Sequence, residues 1–264
     1  MVLFGLVAFA LTYGSGVARA WRRSGIGRGI HYRQIACFTG GWLILVAALA
    51  SPLDEWSDAL FAAHMFQHEL LMVAAAPLIA FSRPLIAFAW LLWRTPHGAS
   101  LVGRISGASG ALSAGVAFGL HAVALWTWHL PPLYEAALGH EWIHALQHLS
   151  FFGTGVLFWW VLAHGEHGRA GYGAAVLYVF ATALHSGLLG ALITLSPRVW
   201  YVPYTSPQSI WQLSPLEDQQ VAGLIMWVPA SVIFAGAGLA FLLAWLRESA
   251  RRVEHSRPTR WTVG

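Results

Sequence analysis

The sequence predicts an all-α membrane protein, a bundle of seven transmembrane helices with the N-terminus outside and the C-terminus in the cytoplasm. It forms a single domain over residues 1–264. Three observations predict this. Hydrophobic residues make up 57% of the chain and charged residues only 10%, a balance suited to lipid rather than water. Apolar segments of bilayer-spanning length recur from end to end. The basic residues fall almost wholly on one side of the resulting weave.

In chain order the spans are 2–18, 35–51, 59–81, 110–128, 142–163, 172–195 and 218–246. The first lacks a basic start and its positive charges follow the apolar run, so it reads as a true span rather than a signal peptide. Pro84–Trp93 is apolar but short, and suits an interfacial helix or a continuation of span three. Gly98–Gly110 reads as a cytoplasmic loop, and Ser196–Pro215 as an external loop rich in Pro, Tyr and Trp. Pro77, Pro84 and Pro229 kink spans or mark their ends, which membrane helices tolerate. Residues 247–264 form a basic cytoplasmic tail. No linker or change of composition divides the chain.

Charge sets the orientation. All 15 basic residues are Arg, and in the seven-span arrangement only Arg198 falls outside the cytoplasmic loops and tail. Asp54, Glu55, Asp58, Glu217 and Asp218 land on the external side. Trp56, Trp126, Trp128, Trp142, Trp200 and Trp211 mark the outer interface, and Trp21, Trp93 and Trp245 the inner one. The net charge of +4 implies contact with anionic lipid head groups rather than nucleic acid. One cysteine, Cys37, excludes an intramolecular disulfide and any CxxC metal or redox motif.

Inside this apolar frame one pattern occurs twice. His64-Met65-Phe66-Gln67-His68 and His144-Ala145-Leu146-Gln147-His148 both read HxxQH. Residues four apart on a helix share a face, so each pair points two imidazoles at one spot. Spans three and five both run inward, which puts the pairs at matched depth in the outer half of the membrane. His129 closes span four at that level, and Asp218 and Gln219 open span seven there. Ionisable groups at membrane depth are costly and mark function by default. His31, His97, His164, His167 and His255 fall in cytoplasmic loops or the tail and read as solvated residues. For the isolated His121 and His185, helix packing and function stay equally open.

Four imidazoles on two helices suit a transition metal: Cu, Zn, Fe or Ni. A zincin needs HExxH, whereas Glu69 follows the second histidine, leaving it as ligand, proton carrier or orienting partner. Histidines four apart are only about 6 Å apart along the axis, too close for two stacked haems. One haem held by one histidine from each helix remains open but leaves a second pair unexplained; a compact copper site uses all four. Gln67 and Gln147 either fix imidazole tautomers or tie helices together. Met65 is the thioether nearest the pairs, ahead of Met72 and Met226, and His129 and Asp218 are further ligands or loading residues. No nucleophile with a base, phosphate loop or paired intramembrane carboxylates is visible, so a non-enzymatic role in metal storage, transfer or sensing is expected.

Several motifs in order carry a resemblance: His64-x-x-x-His68-Glu69-Leu70-Leu71 with Ala76-Pro77-Leu78, Trp128-His129-Leu130-Pro131 with Tyr134, His144-x-x-x-His148, and Asp218-Gln219-Gln220-x-x-Gly223-x-x-Met226-Trp227. Together they resemble the CtaG family of caa3-type cytochrome c oxidase assembly factors. This is the polytopic family, not the single-span copper chaperone sharing its name. The likeness covers roughly residues 35–246; the first span and the tail add nothing to it. It implies a multi-pass bacterial plasma-membrane protein that helps form the copper centre of oxidase subunit I, with subunit I and external copper chaperones as partners. Two other readings remain beside it, a haem b electron carrier and a metal-free scaffold for oxidase subunits.

Overall fold

In lipid every backbone N–H and C=O must be satisfied within the protein, which favours helices for long apolar runs. The computed structural model describes residues 2–92, 114–165, 171–205 and 212–255, and no strand occurs among them. Trp93, His97, the Gly98–Gly110 loop, the first residues of span four, His167, Arg169, Trp211 and the end of the tail lie outside the described residues.

The elements are α1 (Val2–Ser24), α2 (Tyr32–Leu49), α3 (Pro52–Ala59), α4 (Phe61–Glu69), a π-helical turn (Leu70–Ala75), α5 (Ala76–Ser82) and α6 (Pro84–Leu92). After these come α7 (Ala114–Trp128), α8 (Pro131–Gly139), α9 (Glu141–His164), α10 (Gly171–Leu195), a 3-10 turn (Val202–Thr205) and α11 (Pro215–His255). Among the described residues six helices are long and apolar enough to cross a membrane, one fewer than expected. The difference is span four: α7 shows 15 described residues, about 22 Å at the usual rise against a hydrocarbon core of about 30 Å.

Local chemistry explains the breaks. Ser51 caps α3, its hydroxyl accepting the Leu53 N–H at 3.1 Å, with Pro52 at the first helical position. Pro84 disfavours a helical residue before it, and Arg83 turns left-handed at φ 52°, so α6 is a separate short helix rather than a continuation of span three. It packs back on α1, where Gly16 lies against Ala87 so closely that a Cβ would overlap the Ala87 carbonyl. Pro229 does not end α11, which continues through it.

The stretch α4–π turn–α5 is the hub. Two-thirds (67%) of its apolar window is buried, against 17–39% for the other five long helices. α4 lies on α11; the π turn and α5 lie on α2 and α9. α9 also packs on α7, and α10 on α11 and α7. Glycines permit the tightest crossings, as small residues do between membrane helices. A Cβ on Gly223 would lie 2.7 Å from the Gly190 carbonyl oxygen, and one on Gly155 3.2 Å from the Ala76 Cβ. Leu11, Val123, Leu149, Leu177, Phe180 and Val232 face outward, as a lipid-facing surface requires.

One end of the bundle is basic: Arg19, Arg22 and Arg23 line one groove, and Arg33 and Arg83 another with His31 and His164. The histidine pairs lie toward the other end.

Candidate metal centre

The spacing of four within each pair keeps both imidazoles on one face, and the packing of α4 and α9 turns these faces together. His64 and His68 are fully buried, with their Nε2 atoms 3.0 Å apart. One nitrogen from each of His64, His68 and His148 lies within 4.8 Å of the other two. His144 adjoins the cluster, its ring centroid 5.1 Å from His64 and 4.2 Å from His148. His129, from the end of α7, approaches His68 to 6.3 Å between ring centroids. The two HxxQH motifs therefore meet at one chamber.

The shortest hydrogen bonds assign the protons on two of the rings. The Tyr204 hydroxyl donates to the Ser57 carbonyl at 2.9 Å, so at 3.2 Å from His64 Nδ1 its oxygen accepts. His64 thus carries its proton on Nδ1 and turns the lone pair of Nε2 toward His68. The same logic holds for His129, whose Nδ1 donates to the Leu125 carbonyl at 2.7 Å. Its buried Nε2 has no hydrogen-bond partner among the described residues, nor have Nδ1 of His68 and Nε2 of His144 and His148. Orphaned buried polar atoms are rare in proteins, and four imidazole nitrogens of one chamber are in that state. An ion bonding nitrogen at about 2.0–2.1 Å in tetrahedral geometry holds its ligands on the order of 3.3 Å apart, close to the separation between His64 and His68.

Aromatic residues roof the chamber. Tyr134 of α8 lies 3.3 Å from Tyr204, hydroxyl to hydroxyl, and Tyr201 donates to the His129 carbonyl at 2.9 Å. Burial pushes the Tyr134, Tyr201 and Tyr204 phenols above the usual tyrosine range, so they stay protonated donors. Gln219 holds the loop that bears two of them, accepting from the Trp200 N–H at 2.7 Å and donating to the Arg198 carbonyl at 3.0 Å. At the rim, burial raises the Asp58 carboxyl while the neighbouring His144 opposes that rise.

The other anticipated residues separate. Asp218 is buried, and its two oxygens accept the Phe61 and Ala62 N–H groups at 2.8 and 3.0 Å, capping the start of α4 ahead of the histidines. Gln67 turns away from them and ties α4 to α2 and α3, donating to the Ala48 carbonyl at 2.7 Å and to Asp54 at 2.8 Å. Gln147 is buried with neither end of its amide partnered among the described residues. Met65 is fully buried in the main apolar cluster, and Glu69 lines a separate cavity deeper in the bundle. Tyr201 and Tyr204 were not anticipated individually; the only signal was the Tyr and Trp content of their loop.

Comparison with known proteins adds an independent line. The chain is 24% identical over 265 residues to uncharacterized proteins of Mycobacterium bovis and Mycobacterium tuberculosis, covering 93% of its own length and 38% of theirs. An uncharacterized protein of Mycobacterium leprae is 25% identical over 239 residues, covering 83% of the chain and 35% of the relative. The chain thus spans well under half the length of these curated relatives. No solved structure matches it. The family described as cytochrome c oxidase caa3 assembly factor (Caa3_CtaG) matches residues 11–248, which takes in every helix that bears on the chamber, and the chain belongs to that family.

Proposed function

We propose that this assembly factor binds copper as cargo at the histidine chamber and passes it to the copper centre of cytochrome c oxidase subunit I. The observation that carries the reading is the convergence of orphaned imidazole nitrogens from separate helices. His64, His68 and His148 are the core ligands, and His144 and His129 are positioned to complete or load the site. Met65 and Asp218 are not needed: one is packed in the apolar core and the other is occupied as a cap. A metal ion would replace the hydrogen bond between the Nε2 atoms of His64 and His68 and take up the unpartnered Nε2 of His148. Exchange of copper between imidazole sites requires neither a redox cysteine nor hydrolysis, consistent with a role that is not catalytic.

In this reading α7 completes a seventh crossing, the arginine-rich end faces the cytoplasm and the chamber opens near the external face of the bacterial plasma membrane. Copper arrives at the outer rim from an external chaperone, past Asp54 and Asp58, and leaves when the bundle docks laterally on subunit I. A haem carrier fits less well. The rings of His64, His68, His144 and His148 pack 4.2–5.9 Å apart, and Phe151 lies 4.7 Å from His68. A macrocycle would have to displace these contacts.

The test is metal and haem content of the detergent-purified protein beside a His68→Ala/His148→Ala variant. Copper bound by wild type and lost from the histidine cluster in the variant is the expected result. Haem in its place overturns the copper reading, and neither copper nor haem after loading leaves a scaffold role.

A further inference from the structure

Glu69 is buried at the end of α4, and its Oε2 has no hydrogen-bond partner among the described residues. It lines a cavity of about 20 Å³ that it shares with His121, Met72 and Met226, walled by Phe158 and Trp159. That is room for one water-sized occupant. The cavity begins where the histidine chamber ends: Glu69 directly follows His68, and Met72 lies four residues, about 6 Å, further along the helix.

The donors around this cavity are matched to each other. The Thr154 hydroxyl donates to the Ser150 carbonyl at 2.7 Å, so at 3.2 Å from His121 it accepts, and His121 carries its proton on Nδ1. Nε2 is left with a lone pair. Two thioethers with an imidazole form a soft donor set, which selects Cu(I) among biological metals. A carboxyl in apolar surroundings keeps its proton unless a cation lies beside it, so a monovalent cation bound here takes the place of the Glu69 proton and leaves the cavity neutral. The backbone is irregular at this point: Met72 lies in the π turn, its carbonyl taken by the Trp159 indole N–H at 3.0 Å. Such turns occur often at functional sites.

We propose that Glu69, His121, Met72 and Met226 form a second, inner Cu(I) site, so that the bundle holds two copper ions at different depths. The inference rests on the copper reading of the histidine chamber.

The test titrates purified full-length protein anaerobically with Cu(I) against a coloured Cu(I) chelator and records copper X-ray absorption spectra. The variants are Met72→Leu/Met226→Leu, which nearly conserves volume, Glu69→Gln, and His64→Ala/His68→Ala/His148→Ala. Wild type is expected to bind two Cu(I), with sulfur among the ligands. The methionine variant keeps one ion, ligated by nitrogen only. The triple histidine variant keeps one with sulfur ligation, and Glu69→Gln weakens that ion at least tenfold. A single nitrogen-ligated ion in wild type, unchanged by the methionine replacements, overturns the inner site and leaves the histidine chamber standing. No copper in wild type overturns both.

Discussion

Tyr204 sets the proton on His64 from 140 residues away in sequence. Its hydroxyl donates to the Ser57 carbonyl, the shorter of its contacts, which leaves its oxygen to accept from His64 Nδ1 and turns Nε2 to the chamber. Partners that orient a ligand in this way cost about 10–100-fold in metal affinity when lost. Tyr204→Phe is expected to weaken copper binding by that factor in chelator competition, with helix content unchanged in circular dichroism; unchanged affinity would refute this positioning role. Asp218 behaves in the opposite manner. Since both its oxygens hold backbone N–H groups of α4, Asp218→Ala is expected to lower stability by about 1 kcal/mol, as for the loss of a helix cap, yet keep the copper stoichiometry. Copper lost without a change in melting temperature would make Asp218 a ligand after all. The HxxQH pairs were legible because spacing on one helix determines which side chains share a face. Tyr204 and the carboxylate of Asp218 act on distant segments, and no local pattern announces such partners. Gln67 carried two readings, and its contact with the Ala48 carbonyl favours the one in which it joins helices.

At the scale of elements, the chamber depends on how closely α9 lies against the hub. Gly155 is seven residues after His148, two turns along the same face. A Cβ there would sit 3.2 Å from the Ala76 Cβ and 3.4 Å from the Met72 Cα. Gly155→Leu is therefore expected to push α9 from the hub, separating His148 from His64 and His68. Such overpacking costs about 1–3 kcal/mol, and copper affinity should fall although no ligand has changed. Gly155→Ala is the graded control, with a smaller effect on both the melting temperature and the chelator titration. Full copper affinity in a destabilised Gly155→Leu protein would mean the chamber does not rely on this contact. The spans were readable in sequence because hydropathy averages over twenty residues: 142–163 became Glu141–His164, and 172–195 became Gly171–Leu195. The short helices α3 and α8 escaped because they lack that length, although Ser51-Pro52 and Leu130-Pro131-Pro132 mark their starts. The π turn has no signature in a run of Leu, Met, Val and Ala; it follows from packing.

For the whole molecule, the question is which end of the bundle faces outward. Arginines gather at one end and the chamber lies toward the other, and the direction of copper delivery depends on that polarity. With Cys37→Ala removing the native thiol, single cysteines can report it. Glu55→Cys in the first turn of α3 and Gly139→Cys at the end of α8 are expected to react with a membrane-impermeant maleimide in intact spheroplasts. Arg251→Cys, in the exposed end of α11, should react only after the membrane is opened. That pattern is expected if the chain crosses an odd number of times: if α7 with the residues before it does not cross, the ends beyond it exchange sides. Gly139→Cys would then fall silent while Glu55→Cys stayed reactive. Because α4 and α9 must both descend from one side for His64, His68 and His148 to meet as they do, a split result of that kind contradicts the fold as well as the topology. Uniform inversion, with only Arg251→Cys labelled in intact cells, would keep the fold and put the chamber on the cytoplasmic side. Copper would then have to come from inside the cell, and the proposed delivery route would fall even if every histidine bound metal.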